Sequence, residues 1–149
     1  MKSIIKWATT GALAITLSSS CLAAKFTEEK NVNVDWNIPL SLLGYFSGSV
    51  NFKVTPHMTI GPIAGIEAWS SNNTSNSNSI WSLGGQVYYA LGGKDVMGDH
   101  IWLLNPYVEY MHVNDAGGAS GGLLFMYQWA WNTGMNMQLG VGPAYTRYT

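Results

Sequence analysis

The chain is poor in charge. Charged residues make up 10% of its 149 residues, against 47% hydrophobic ones. A soluble globular domain carries about 25% charged residues, so the side chains that keep a water-facing surface hydrated are scarce here. Cysteine is nearly absent: Cys21 is the single one, which excludes an internal disulfide framework and a cysteine-based metal site. The net charge is −1 with no basic cluster, so nucleic acid is not an expected partner. After residue 25 no apolar run approaches the ~18 residues of a membrane helix. Helical spans therefore do not account for the greasy composition.

What is present starts with a basic end, Lys2 and Lys6, then an apolar stretch from Trp7 to about Leu17, then Ser18, Ser19 and Ser20. Cys21-Leu22-Ala23 and Leu22-Ala23-Ala24 each put a small residue before a cut. This is the layout of a secretory signal. Residues 1–24 are read as an export signal and 25–149 as one mature domain. The apolar stretch is too short for a spanning anchor. Lipidation of Cys21 calls for a Leu-like residue three positions earlier, where Ser18 stands.

The mature chain has a period of two. Val32, Val34, Trp36 and Ile38 alternate with Asn33, Asp35 and Asn37. Val50, Phe52 and Val54 alternate with Ser49, Asn51 and Lys53, and the same holds across 58–68, 81–91, 101–110 and 135–145. Two places are blurred: Ile101 and Leu103 at the start of one segment, and Leu124 and Met126 on the polar face of 122–131. Alternation of this kind predicts half-buried strands. Thr55-Pro56-His57 and Asn132-Thr133-Gly134 read as tight turns, and Gly92–Asp99 as a longer polar turn. Ser70–Ser79 is almost wholly Ser, Asn and Thr, and Asn114–Gly122 is rich in Gly, so both are expected to be loops.

Alternation does not say which face points out. The polar face is mostly Gly, Ser, Asn, Gln and Thr, without the interspersed Lys and Glu of a water-facing sheet. The apolar face carries Trp36, Trp81, Trp102, Tyr110, Trp129, Trp131 and Tyr145, mostly toward strand ends. Rings at strand ends form the aromatic girdles of a membrane barrel, half wet at each interface. The expected fold is all-β: a small antiparallel up-and-down transmembrane β-barrel of about eight strands, about seven of them readable. An odd count is the first difficulty, because single-chain bacterial barrels use even numbers. Proline is the second: Pro62, Pro106 and Pro143 lie inside strands on the apolar side, where a missing N–H breaks the ladder.

The polar face supplies the candidate lumen: Asp35, Asn51, Lys53, Glu67, Gln86, Asn105, Glu109 and Gln138. Glu67 and Glu109 sit late in strands running the same way and are expected to line one level, favouring a cation or small polar solute. Lys53 is expected toward the other end.

The signal Met1–Ala24, the strand-turn-strand from Ser49 to Pro62 and the late Gly140-Val141-Gly142-Pro143-Ala144-Tyr145 together resemble the broad family of small outer-membrane β-barrel proteins, OmpW-like and opacity-type. The resemblance implies an eight-stranded barrel with both termini in the periplasm and outer-membrane lipid as its surroundings. It carries over no catalytic residue. Barrel deacylases of similar size use a His and a Ser two residues apart plus a carboxylate. Here His57 has Thr55 and Thr59 at that spacing, His100 has Gly98 and Trp102, and His112 has Tyr110 and Asn114. No His pair has zinc-like spacing, and no cofactor or metal is expected. The sequence thus points to a non-enzymatic outer-membrane barrel: envelope scaffold, surface contact or minor, porin-like pore. A lipid-modifying barrel enzyme and a soluble secreted ligand-binding barrel are the alternatives.

Overall fold

The computed structural model describes residues 10–19, 31–37, 45–67, 80–113, 116–131 and 135–148. The rest of the expected signal, Cys21, the Ser70–Ser79 loop and the Asn132-Thr133-Gly134 turn lie outside them. The strands are β1 (Thr10–Ser19), β2 (Val32–Trp36), β3 (Tyr45–Thr55), β4 (Met58–Glu67), β5 (Ile80–Ala90), β6 (Ile101–Val113), β7 (Ala116–Ala130) and β8 (Met135–Tyr148). The described residues contain no α-helix, only a single 3₁₀ turn at Leu91–Gly93.

From β2 to β8 each strand pairs antiparallel with the next, which makes an up-and-down sheet of seven strands. β1 runs along β8 from Thr10↔Ala144 to Ser19↔Met135, and along β2 from Leu17↔Trp36 to Ser19↔Val34. β1 therefore lies in the segment read as a signal. Its register follows the period of two: Leu13, Ile15 and Leu17 stand opposite Val141, Leu139 and Met137, while Ala14, Thr16 and Ser18 stand opposite Gly140, Gln138 and Asn136.

One end of the sheet carries the Thr55-Pro56-His57 turn and the Leu91–His100 connection; we call it the short-turn end. Burial alternates along the strands, with one face enclosed and the other exposed. The enclosed face is polar and the exposed face apolar.

The prolines are accommodated without a change of register. Each keeps its register on one neighbour: Pro62↔Gly85, Pro106↔Leu123 and Pro143↔Gly11. On the other neighbour the ladder skips two positions. It steps from Ser49↔Ile63 to Phe52↔Ile60, from Gln86↔Tyr107 to Tyr89↔Leu104, and from Gly122↔Ala144 to Phe125↔Val141. At the second gap the Asn105 side chain donates to the Val87 carbonyl at 2.9 Å, so a side chain replaces the missing ladder bond. At the other two gaps the strands approach closely. A Cβ on Gly61 or Gly142 would lie 1.9 Å from the carbonyl of Val50 or Leu123, so glycine is required beside each of these prolines.

The Gly-rich segment is not a loop. β7 begins at Ala116, and its glycines make room for rings from β6. A Cβ on Gly117 would meet Tyr110 Oη at 2.1 Å, and one on Gly122 would meet the Tyr107 ring at 2.8 Å. An aromatic ring laid over a strand glycine stabilises the pairing that glycine alone would weaken.

Candidate functional site

The enclosed face holds a continuous polar network built on alternate positions of β2, β3, β5 and β6. Asp35 is at its centre. It accepts hydrogen bonds from Asn33 Nδ2 at 2.6 Å, Asn51 Nδ2 at 2.7 Å and Ser49 Oγ at 3.1 Å. Gln86 Nε2 donates to Ser49 Oγ at 2.7 Å, Asn51 Oδ1 at 3.1 Å and Tyr88 Oη at 3.2 Å. Asn105 Nδ2 reaches Gln86 Oε1 at 3.4 Å. Asn136 Nδ2 donates to Asn33 Oδ1 at 3.2 Å, and Gln138 Nε2 to Gln128 Oε1 at 2.7 Å. Asn51 is wholly buried and Gln138 almost so. Buried amides and a buried carboxylate cost several kcal/mol each unless hydrogen-bonded (about 1–3 by mutation), so the network is what makes this interior tenable.

Toward the short-turn end the interior turns apolar. Tyr88, Ala90, Val96, Ile101, Leu103, Leu124 and Met126 form one buried cluster. The two blurred stretches of the sequence, Ile101/Leu103 and Leu124/Met126, are its inward residues. The Leu91–His100 connection folds over this cluster and buries Val96. It is tied at many points. Val96 N donates to the Pro56 carbonyl at 2.8 Å and Ala90 N to the His57 carbonyl at 2.8 Å. Gln128 Nε2 donates to the carbonyls of Gly98 at 2.8 Å and Val96 at 3.3 Å. Lys53 Nζ reaches out of the interior to Asp95 Oδ2 at 2.6 Å; the lysine side chain is 9% exposed and the aspartate 47%. Asp95 also accepts from Met97 N at 2.8 Å. Burial alone would raise its pKa, but the bonds from Lys53 and Met97 and the charges of Lys53 and His57 outweigh this and hold it below the usual carboxylate value. Asp99 is likewise held low, first by the Ala130 amide at 2.7 Å and then by the His100 charge. The connection read as a polar turn is therefore a cap with an apolar underside.

At the opposite end the enclosed face is looser. Tyr45 Oη hydrogen-bonds Ser82 Oγ, and Thr146 Oγ1 donates to Ser120 Oγ at 3.2 Å. Glu67 stands across from Tyr45, and Glu109 across from Gly84 and Ser120. Both glutamates are half-buried.

Of the residues expected in the lumen, Asp35, Asn51, Gln86, Asn105 and Gln138 are buried and Lys53 nearly so. Asp35, Asn51, Gln86 and Asn105 share one network, Lys53 belongs to the cap, and Glu67 and Glu109 lie apart from both. The expected girdle residues Trp36, Trp81, Trp102, Tyr110, Trp131 and Tyr145 are exposed, and Trp129 is half-buried. They fall into two sets: Trp102, Trp129 and Trp131 near the short-turn end, and Trp36, Trp81, Tyr110 and Tyr145 toward the other. Between the sets the exposed face is largely aliphatic, with Val50, Ile60, Leu83, Val108, Leu123 and Val141. The expectation missed Asn33, Ser49, Tyr88 and Asn136 as network members, and Gln128 as the partner of Gln138. The signal for the first four was parity, since each lies two positions from a named lumen residue on its own strand; no lumen residue was named on β7 to point to Gln128.

Comparison with protein families, curated proteins and solved structures finds no match for this chain.

Proposed function

We propose that this chain is a non-enzymatic β-barrel of a bacterial outer membrane, a scaffold element of the envelope with a filled interior and one capped mouth. The observation that carries this reading is the inverted wall. Amides, hydroxyls and a carboxylate are buried, while Trp, Leu, Ile, Val and Phe are exposed in a belt between two aromatic sets. In water such a belt far exceeds the apolar patches that monomers tolerate. In a bilayer it is the required surface, with rings at both interfaces.

Hydrocarbon offers no partner to a backbone amide, so a spanning sheet has to close. The pairing of β1 with both β8 and β2, completing the order β1 to β8, supports closure. Those residues also fall inside the segment read as an export signal. The intact mass of the envelope form, with or without residues 1–24, tells whether β1 or another strand completes the wall.

The cap and the packed network favour a scaffold over a minor pore. The histidines have structural partners: His57 Nδ1 contacts the Lys94 carbonyl at 2.7 Å, His100 Nδ1 contacts Tyr127 Oη at 3.0 Å, and His112 stacks on Trp81 at 5.4 Å. This supports the non-enzymatic reading.

Fractionated bacterial envelopes are the test. The chain is expected in the outer-membrane fraction, soluble only with detergent, and shifted on gels by boiling. Recovery as a freely soluble periplasmic protein overturns the proposal. Lipid A incubated with the purified chain is expected to keep its mass.

A further inference from the structure

β8 pairs with β7 on one side and, from Met135 to Ala144, with β1 on the other. The match on the β1 side runs unbroken over all 10 residues of that strand. At Leu17, Ser18 and Ser19 β1 also pairs with β2.

The sequence of β1 fits this place in more than its greasiness. Leu13, Ile15 and Leu17 alternate with Ala12, Ala14, Thr16 and Ser18. Large aliphatic residues take one parity, small or hydroxyl-bearing ones the other. Paired positions of an antiparallel ladder share a face. On β8 the partners of Leu13 and Ile15, Val141 and Leu139, are exposed, and the partners of Thr16 and Ser18, Gln138 and Asn136, are buried. The alternation is thus in phase with the wall. An export signal requires an apolar stretch but no alternation. As an anchor the stretch is poor. Within Trp7–Leu17 its longest unbroken apolar run, Ala12–Ile15, is bounded by Gly11 and Thr16, far short of the ~18 residues of a membrane helix.

A cut after Ala24 would remove this strand and leave no substitute ahead of β2. Six residues, Lys25–Lys30, then precede Asn31, whose carbonyl already accepts from Lys53 N at 2.7 Å. Four of the six are charged. A hairpin turn uses at least about two residues, and a spanning strand needs about 9–11. The edge of β8 would then meet hydrocarbon with its N–H and C=O groups unpaired, which a membrane wall does not tolerate.

We propose that residues 10–19 have two functions: the apolar part of an export signal and, left uncut, the closing strand of the finished wall. The inference rests on the membrane reading above and deepens it. With β1 in place the strand count is even, as in single-chain bacterial barrels. Thr10 then lies beside Ala144, at the end opposite the short turns, where β8 also ends.

The intact mass of the chain extracted from the outer membrane of an expressing Gram-negative host tests this and needs no variant. The mass of the whole chain, 16.2 kDa, is expected. A chain that begins at residue 24 or 25 overturns the retained strand and leaves the membrane reading standing. Disulfide formation in a Cys21→Ser background reads the pairing. Ile15→Cys/Leu139→Cys joins register partners. It is expected to cross-link at least about tenfold more than Ile15→Cys/Tyr145→Cys, whose second site lies roughly 20 Å farther along β8 by strand rise, beyond disulfide reach. Equal yields overturn the pairing. A further chain carries a foreign cleavable signal directly before Lys25. Its boiling-shifted band in the outer-membrane fraction is expected to be at least about tenfold weaker than with the same signal before Thr10. An equal band means that the wall closes without β1 and overturns the proposal. A full-length chain held in the inner membrane means that the segment anchors there, and a soluble chain means that no wall spans hydrocarbon; either result overturns both readings.

Discussion

The two ends of the enclosed space solve the same problem in opposite ways. At the short-turn end Leu103, Ile101 and Met126 are packed under the Leu91–His100 cap in a buried apolar cluster, with Gln128 and Thr59 buried beside it. At the other end Tyr45, Ser82, Ser120 and Thr146 face one another through hydroxyls, with half-buried Glu67 and Glu109 among them. The polar network around Asp35 lies between. Stability is therefore concentrated at one end, where apolar packing and a multiply bonded cap act together. The enclosed face is thus graded rather than uniform, and substitutions at matched inward positions are expected to differ sharply by end.

The largest effect is expected at the capped end. Leu103 is fully buried, and Leu103→Ala is expected to cost about 3 kcal/mol, within the usual range for a core leucine. Glu109→Gln, inward at the other end of the same strand, is expected to stay within about 0.5 kcal/mol. Urea unfolding of the reconstituted chain measures both, and equal costs would erase the comparison. Next comes the middle. Asp35→Ala removes the acceptor for Asn33, Asn51 and Ser49 and strands buried amide hydrogens, for an expected loss of about 2 kcal/mol. Asp35→Asn, which keeps one acceptor oxygen, is expected to lose less. A ranking in which Glu109→Gln costs more than Asp35→Ala would place the anchoring at the wrong end.

The strands from Val32 onward were legible because their alternation is set by a physical constraint: one face meets one medium throughout. Asn51, Gln86, Asn105 and Gln138 could be assigned to the interior by parity alone. Other features were not legible, each for a definite reason. Gly117–Gly122 has loop composition, and what makes it strand is the fit of the Tyr110 and Tyr107 rings over glycine, a contact between distant residues. The cap was read as a polar turn because its inward apolar residues, Val96 and the partly buried Met97, give no periodic signal. The breaks at Ile101/Leu103 and Leu124/Met126 marked where the interior changes character, which can be seen only once β6 and β7 are paired. The pairing of Thr10–Ser19 with β2 and β8 was not legible either, because a basic, apolar, small-residue N-terminus reads as a signal.

The smallest effect depends on which partner of one ion pair is buried. Lys53 comes from the interior with its side chain 9% exposed, whereas Asp95 sits on the cap at 47%. Removing the cation, Lys53→Gln, leaves Asp95 free to hydrate, and screening by solvent keeps the expected cost within about 0.5 kcal/mol. Removing the anion, Asp95→Asn, leaves a nearly buried ammonium without its counter-charge, and about 1–2 kcal/mol is expected. The double variant is expected to recover most of that loss. Acid acts like Asp95→Asn. The carboxyl's folded pKa lies below its usual value because of Lys53, Met97 and His57. Its contribution is therefore complete above the unfolded value of about 3.9 and is lost as pH falls through the lower folded value. Proteolysis within residues 91–100 reads the opening of the cap directly. Protection is expected to hold from neutral pH down to the carboxylate range and fail below it in the parent, and to be weakened already at neutral pH in Asp95→Asn. Equal and small costs for the two single variants would mean that Lys53 already hydrates through the cap, and that the short-turn mouth is no more closed than the other.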